Sequence, residues 1–123
     1  MTRKRIFTVA LLLDLVLGVG AIHAATLFTP PLVPGGDNQL DCYLVNVSDT
    51  LRKATIEVLN RDGEVLKSVD VELYPGAEEV ATVEADELPR YCKFVVDGDK
   101  DQFRASILVR KDSDGSISAL SAE

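Results

Sequence analysis

The sequence has little of what most enzymes and nucleic-acid-binding proteins rely on. Its 123 residues include no Trp, one Met, one His and two Cys. Basic residues number 13 against 20 acidic ones, and this balance argues against a protein that binds phosphate backbones through clustered Lys and Arg. Neither of the two common Gly-rich phosphate loops is present. About half of the residues are apolar, which is ordinary for one folded domain.

The N-terminal segment has the three-part pattern of a secretory signal peptide. A basic stretch at positions 3–5 precedes an apolar run over 6–22, and small residues follow at Ala24 and Ala25. We therefore predict a signal helix within residues 1–24 and cleavage between Ala24 and Ala25. A retained membrane anchor is the alternative, but roughly 17 apolar residues are at the short limit for spanning a bilayer. The prediction is a periplasmic or secreted protein without a stable membrane span.

Cleavage would make the chain more acidic and chemically plainer. Removing three basic residues and one acid from the 13 and 20 leaves 10 and 19, a net charge of −9. The only His, His23, is lost as well. A Ser–His–Asp or Cys–His arrangement is then impossible, and two Cys are too few for a thiolate zinc site. The sequence thus predicts no enzymatic activity and no cofactor.

The two cysteines are predicted to form a disulfide, because an even number of Cys in a small exported domain is typical of a structural bridge. Cys42 alternates with Leu40 and Leu44, and Cys92 alternates with Phe94 and Val96. Both thiols therefore lie on the apolar side of a period-two pattern and are expected to point into the core. A redox pair, the alternative, normally has closely spaced Cys with one exposed thiol.

Short apolar alternations separated by turn residues predict an all-β fold. The Asn60–Gly63 segment, with its Asp-Gly pair, is a typical hairpin turn. We predict seven antiparallel strands, which is the pattern of a β-sandwich over residues 25–111, and a flexible acidic and polar tail over residues 112–123. The predicted strands are Ala25–Thr29, Gln39–Val47, Ala54–Asn60, Glu64–Leu73, Glu79–Glu84, Arg90–Val96 and Phe103–Lys111.

One part of this pattern resembles a known class of protein. Residues 63–66 read Gly-Glu-Val-Leu and residues 69–76 read Val-Asp-Val-Glu-Leu-Tyr-Pro-Gly. This hairpin and corner resemble the "G-x-V … V-x-L-x-P-G" motif of small immunoglobulin-like or fibronectin III-like sandwich proteins exported by bacteria. The resemblance implies a bridge between the two sheets, joining the second strand to the sixth. It implies a fold and no particular activity.

One loop has the alternating acids of a calcium site. Asp97, Asp99 and Asp101 resemble the opening of an EF-hand loop. The matching Gly and Glu are missing, however, because Gln102 and Leu108 occupy those positions. A solvated turn between the last two predicted strands is the alternative, and these three residues remain a weak metal candidate.

A second local motif is the Asn46-Val47-Ser48 triplet, which matches the N-glycosylation pattern. It falls at the predicted end of the second strand. The motif has meaning only if the protein passes through a eukaryotic secretory pathway.

These observations predict an exported, non-enzymatic β-sandwich that acts as a binding or accessory module. Its expected partner is an unidentified protein or envelope component, and the chain is expected to be a monomer that binds no nucleic acid. One alternative is a structural subunit of a surface assembly, which would complete the sheet of a neighbour. Residues 25–38 are a poor donor strand for this purpose, because they are short and interrupted by prolines. The other alternative is a weak Ca²⁺-binding domain.

Overall fold

The computed structural model describes residues 23–33, 35, 38–84, 88–111 and 117–122. These residues form eight strands and one short 3₁₀ helix, Lys100–Gln102. No helix among them is both long and apolar enough to cross a membrane. The strands are β1 (Ala24–Phe28), β2 (Asn38–Asn46), β3 (Arg52–Asn60), β4 (Val65–Leu73), β5 (Glu78–Glu84), β6 (Arg90–Asp97), β7 (Phe103–Lys111) and β8 (Ile117–Ser121).

The strands form two antiparallel sheets that pack against each other as a β-sandwich. Sheet A has the order β1-β6-β3-β4, and sheet B has the order β5-β2-β7-β8. Strand β4 contacts β5, and β6 contacts β7 across the sandwich. Strands β1 and β8 therefore lie at one lateral side, and β4 and β5 lie at the other. The predicted all-β class with two antiparallel sheets is confirmed.

The core forms between the sheets because apolar residues alternate along most strands. In β6, every second residue is buried, from Arg90 through Cys92 and Phe94 to Val96. Cys42 on β2 and Cys92 on β6 are fully buried and joined by a disulfide, with their Cα atoms 5.8 Å apart. Since β2 belongs to sheet B and β6 to sheet A, the predicted inter-sheet bridge is confirmed. A separation of 50 residues corresponds to about 4 kcal/mol of stabilisation in the chain-entropy model.

Two predictions about the chain ends need separate comment. The strand count of seven was wrong, because residues 117–121 within the predicted flexible tail form β8. This strand pairs antiparallel with β7, from Ser106–Ser121 to Arg110–Ile117. The predicted signal helix lies outside the described residues. Strand β1 begins at Ala24, so the predicted cleavage site falls at its first peptide bond.

The glycosylation motif has a structural role in this fold. The Asn46 side chain is fully buried, and its Nδ2 donates to the carbonyl oxygens of Thr50 at 2.9 Å and Leu73 at 2.8 Å. Its Oδ1 accepts from the backbone N–H and the hydroxyl of Ser48. Both donor hydrogens and the oxygen of the amide are thus engaged, in the turn between β2 and β3 and at the end of β4, and the buried Asn46 side chain is not accessible for attachment of a glycan.

Candidate binding face of sheet A

The outer face of sheet A carries the side chains that point away from the core. On β6 these are the alternate residues Tyr91, Lys93 and Val95, since Cys92 and its neighbours at even positions are buried. Directly paired residues of antiparallel strands share a face. The register pairs Phe28 with Lys93 and Thr55 with Val95. Side chains of β1, β6 and β3 therefore form one continuous outer surface.

An aromatic pocket of about 460 Å³ lies at one end of this face. Phe28 and Tyr91 contact each other, with ring centroids 6.4 Å apart. Phe28 is 48% exposed although it is a large apolar residue. The pocket is open to solvent, and most of its lining is apolar. The pocket is lined by Phe28, Thr29, Pro31, Arg61, Pro89 and Tyr91.

Thr29 fixes the wall of the aromatic pocket. Its backbone N–H donates to the carbonyl of Cys92 at 3.0 Å, and its hydroxyl accepts from the backbone N–H of Cys92 at 2.9 Å. Thr29 thereby extends the pairing of β1 with β6 beyond the end of the strand. Cys92, which makes both of these hydrogen bonds, also forms the disulfide. This wall of the pocket is therefore attached to the core of the sandwich.

Arg61 supplies a positive charge to the aromatic pocket from the turn between β3 and β4. Asn60 organises this turn, because its Oδ1 accepts from the N–H groups of Asp62 and Glu64 at 2.9 Å. Its Nδ2 also donates to the Glu64 carboxylate at 2.9 Å. Arg61 itself makes no ion pair or hydrogen bond through its side chain with any residue that the structure describes. Its guanidinium is therefore available to an anionic ligand.

An acidic cavity of about 620 Å³ lies at the opposite end of the face. Its lining includes Lys53, Asp70, Glu72 and Asp97. The Lys53 ammonium lies 3.9 Å from the Glu72 carboxylate, and the Asp97 Oδ1 accepts from the backbone N–H of Lys53 at 2.9 Å. The Asp70 carboxylate accepts from the Thr55 hydroxyl at 2.7 Å. Three carboxylates against one ammonium give this end a negative charge.

The two ends of the face are separated by a length that a short peptide can span. Tyr91 and Val95 lie four residues apart on β6, a distance of about 14 Å in a strand. Between them, Lys93 pairs with Glu57 at 3.8 Å across the face. The face is therefore polar along its length, with an aromatic and cationic end near Tyr91 and an acidic end near Val95.

The structure separates the three acids of the calcium candidate. Asp97 belongs to β6 and lines the acidic cavity, whereas Asp101 lies in the 3₁₀ helix. Asp99 pairs with the His23 imidazole at 2.6 Å. In the part of the chain that the structure describes, no three His, Cys, Asp or Glu side chains cluster as metal ligands. The three acids that alternate in the sequence thus lie at the end of β6, at the start of the 3₁₀ helix and within that helix.

Comparison with known proteins shows a related fold. No protein-family model and no curated protein matches the sequence. The structure is similar to the crystal structure of Thermotoga maritima 1070, with a TM-score of 0.54 and 13% sequence identity over 78% of this chain and 90% of that chain. At this level of identity the likeness shows a shared fold alone.

The sequence predictions did not include the residues of the aromatic pocket. Phe28 and Tyr91 are 63 positions apart, and only the pairing of β1 with β6 brings them together. The available signal was an aromatic residue next to a proline-containing turn, with Phe28 before Pro30-Pro31 and Tyr91 after Pro89. Such prolines end strands, so they mark the sheet end at which a pocket can form.

Proposed function

We propose that the protein is an exported, non-enzymatic binding module whose outer face of sheet A binds an extended segment of a protein partner. The observation that carries this proposal is the arrangement of the face. An aromatic pocket with an unengaged Arg61 lies at one end, and an acidic cavity lies about 14 Å away at the other. A segment of five or six residues matches this length.

The aromatic pocket selects an apolar side chain next to a carboxylate. Phe28 and Tyr91 provide an apolar surface that an aromatic or aliphatic group covers on binding. The Arg61 guanidinium donates from the pocket wall to a neighbouring Asp or Glu of the partner, and such charge-assisted hydrogen bonds are among the stronger polar contacts. This end of the face therefore favours an apolar-acidic pair.

The acidic cavity selects the other end of the partner segment. The carboxylates of Asp70, Glu72 and Asp97 exceed the single ammonium of Lys53, so a Lys or Arg of the partner is favoured there. Opposite charges at the two ends set the direction in which a segment lies on the face. Complementary charge of this kind contributes to specificity more than to affinity.

The scaffold supports a role in an oxidising compartment. The Cys42–Cys92 disulfide connects the two sheets at full burial, and such bridges persist in exported proteins. It fits the proposed periplasmic or secreted location. A rigid sheet also presents the binding face without the entropy cost of ordering it on association.

The test uses a peptide with a basic residue at one end and an apolar-acidic pair at the other. We would titrate the acetylated, amidated peptide Lys-Ser-Thr-Ser-Phe-Glu into ¹⁵N-labelled protein. We expect chemical-shift changes at Phe28, Thr29 and Tyr91 and at Thr55 and Val95. Replacing the terminal Glu of the peptide by Gln should weaken binding about two- to fivefold, as expected for loss of an exposed ion pair.

Matched variants test the assignment of the site. Arg61→Gln should remove the difference between the Glu and Gln peptides, and Phe28→Ala should abolish the shifts at the aromatic pocket. Tyr74→Ala is the control, because Tyr74 is an exposed aromatic outside both cavities. The proposal is wrong if Tyr74→Ala weakens binding as much as Phe28→Ala, or if the peptide shifts map to sheet B.

A further inference from the structure

The edges of the two sheets differ in how they are protected against pairing with another strand. Exposed strand edges carry unpaired N–H and C=O groups, and natural proteins usually place charged residues or prolines on them. At one lateral side, β4 contains three charged residues and β5 contains three. At the other side, β1 and β8 contain no charged residue. The charged residues on the protected side are Lys67, Asp70, Glu72, Glu78, Glu79 and Glu84.

Strand β8 is the less protected edge on the uncharged side. Its sequence is Ile-Ser-Ala-Leu-Ser, without a charge or a proline. One of its edges pairs with β7, and no other strand of the described residues pairs with the second edge. Ala119 and Leu120 are exposed. By contrast, β1 is followed by Pro30-Pro31, which limits the length of a new strand that can pair there.

The charge distribution of sheet B leaves this edge accessible to a second copy of the chain. Its exposed acids Glu78, Glu79 and Glu84 all lie on β5, three strands from β8 and about 14 Å away. Nearer to β8, strand β7 presents Arg104 and Arg110. Two copies joined at β8 would hold their β5 acids about 34 Å apart, far beyond the screening length of about 8 Å at physiological salt. A second copy at this edge therefore meets no like charge of β5, and the acids that flank β8 in the sequence are Asp112, Asp114 and Glu123.

We propose that two copies associate through antiparallel pairing of their β8 strands, which joins the two B sheets into one eight-stranded sheet. A two-fold axis at Ala119 places this residue opposite its own equivalent, and such self-complementary contacts are the usual basis of homodimers. The small side chains of Ala119 and Ser121 allow the close approach that strand pairing requires. The uncharged β1 lies at the same lateral side and faces the partner as well. This inference is independent of the peptide-binding face on sheet A.

The expected association is weak. Pairing of two five-residue strands covers less area than the roughly 1,200–2,000 Å² of a stable interface. We therefore expect a monomer at about 10 µM and a growing dimer fraction toward about 1 mM, the range of weak complexes. Sedimentation equilibrium over this range measures the dissociation constant. Hydrogen exchange should show slower exchange of the β8 amides at the higher concentration.

The Ala119→Arg variant places a like charge on each side of the two-fold axis and should raise the dimer dissociation constant at least about tenfold. The matched control is Ser68→Arg, which adds the same charge to the exposed edge strand β4 and should leave association unchanged. Ser121→Lys serves as the second variant if Ala119→Arg does not fold. The proposal is overturned if the wild-type chain remains monomeric at about 1 mM, or if Ser68→Arg disrupts the dimer while the β8 variants do not.

Discussion

Arg110 covers the buried carboxylate of Asp41 on the outer face of sheet B. Its Nε donates to Oδ2 of Asp41 at 2.7 Å, and its Nη2 lies 3.4 Å from Oδ1. The Thr82 hydroxyl donates to the same Oδ1 at 2.7 Å. The Asp41 side chain has no exposed area, while that of Arg110 remains 44% exposed. Asp41 lies on the outward-facing side of β2. Thr82 of β5 and Arg110 of β7 together shield its carboxylate from water.

We expect Arg110→Met to lower the free energy of unfolding by about 2–3 kcal/mol. The substitution keeps much of the apolar stem, but it leaves a buried carboxylate without its charged donor, which costs more than the loss of an ordinary hydrogen bond. Urea unfolding at neutral pH, with the disulfide intact, measures the change.

Arg104→Met is the matched control for Arg110→Met. Arg104 lies on the same strand, and its Nη1 donates to the carbonyl oxygens of Asp101 and Phe103 near the surface. Its loss should change stability by less than about 0.5 kcal/mol, as is usual for surface substitutions. Equal losses for the two variants would show that Arg110 stabilises the fold through Asp41 no more than Arg104 does through its surface contacts.

Asn46 gives a second stability prediction. Asn46→Ala removes the donors to the Thr50 and Leu73 carbonyls and leaves the buried Leu73 acceptor without its side-chain donor, so we expect a loss of about 2–3 kcal/mol. Ser48→Ala destroys the same glycosylation motif but keeps both of these donated bonds, and it should cost less than about 1 kcal/mol. Thermal unfolding of the two variants compares them. Similar losses would mean that the Ser48 hydroxyl contributes as much to stability as the buried Asn46 amide does.

The strands could be predicted from the sequence because burial of one face of each sheet makes apolar and polar residues alternate. This alternation is visible within a few consecutive residues. The start of β7 at Phe103 and the inward positions of Cys42 and Cys92 follow directly from this pattern. Strand β8 could not be predicted in this way, since Ser, Ala and Ser residues give little contrast between its two faces. Its strand conformation depends on pairing with β7, which supplies the hydrogen bonds that its own composition does not favour.

The candidate sites depended on contacts between distant residues, which alternation does not reveal. The outward position of Asp41 was evident from its neighbours, but its burial requires Arg110, 69 residues away. In the same way, the aromatic pocket requires the register that places Phe28 next to Tyr91. Pairing of this kind has a period of two residues, so a shift of β1 by one residue against β6 would move Phe28 to the opposite face, away from Tyr91.

Gly98 gives the third stability prediction, because its position in the loop after β6 requires glycine for two reasons. Its φ of +132° is a conformation that other residues rarely adopt, and a Cβ atom there would overlap the Oε1 atom of Gln102 and lie 3.3 Å from Nη1 of Arg52. Both atoms are the ends of flexible side chains and can shift, so Gly98→Ala should lower stability mainly through its backbone conformation, by about 1–3 kcal/mol. Gly76→Ala is the matched comparison, since Gly76 has a φ of +80° but no atom within 4 Å of the added Cβ. This second variant has only the backbone penalty, about 1 kcal/mol. Urea unfolding compares the two variants. The φ of Gly98 lies farther from the left-handed helical region than that of Gly76, so we expect the larger loss at Gly98, and equal losses would contradict this prediction.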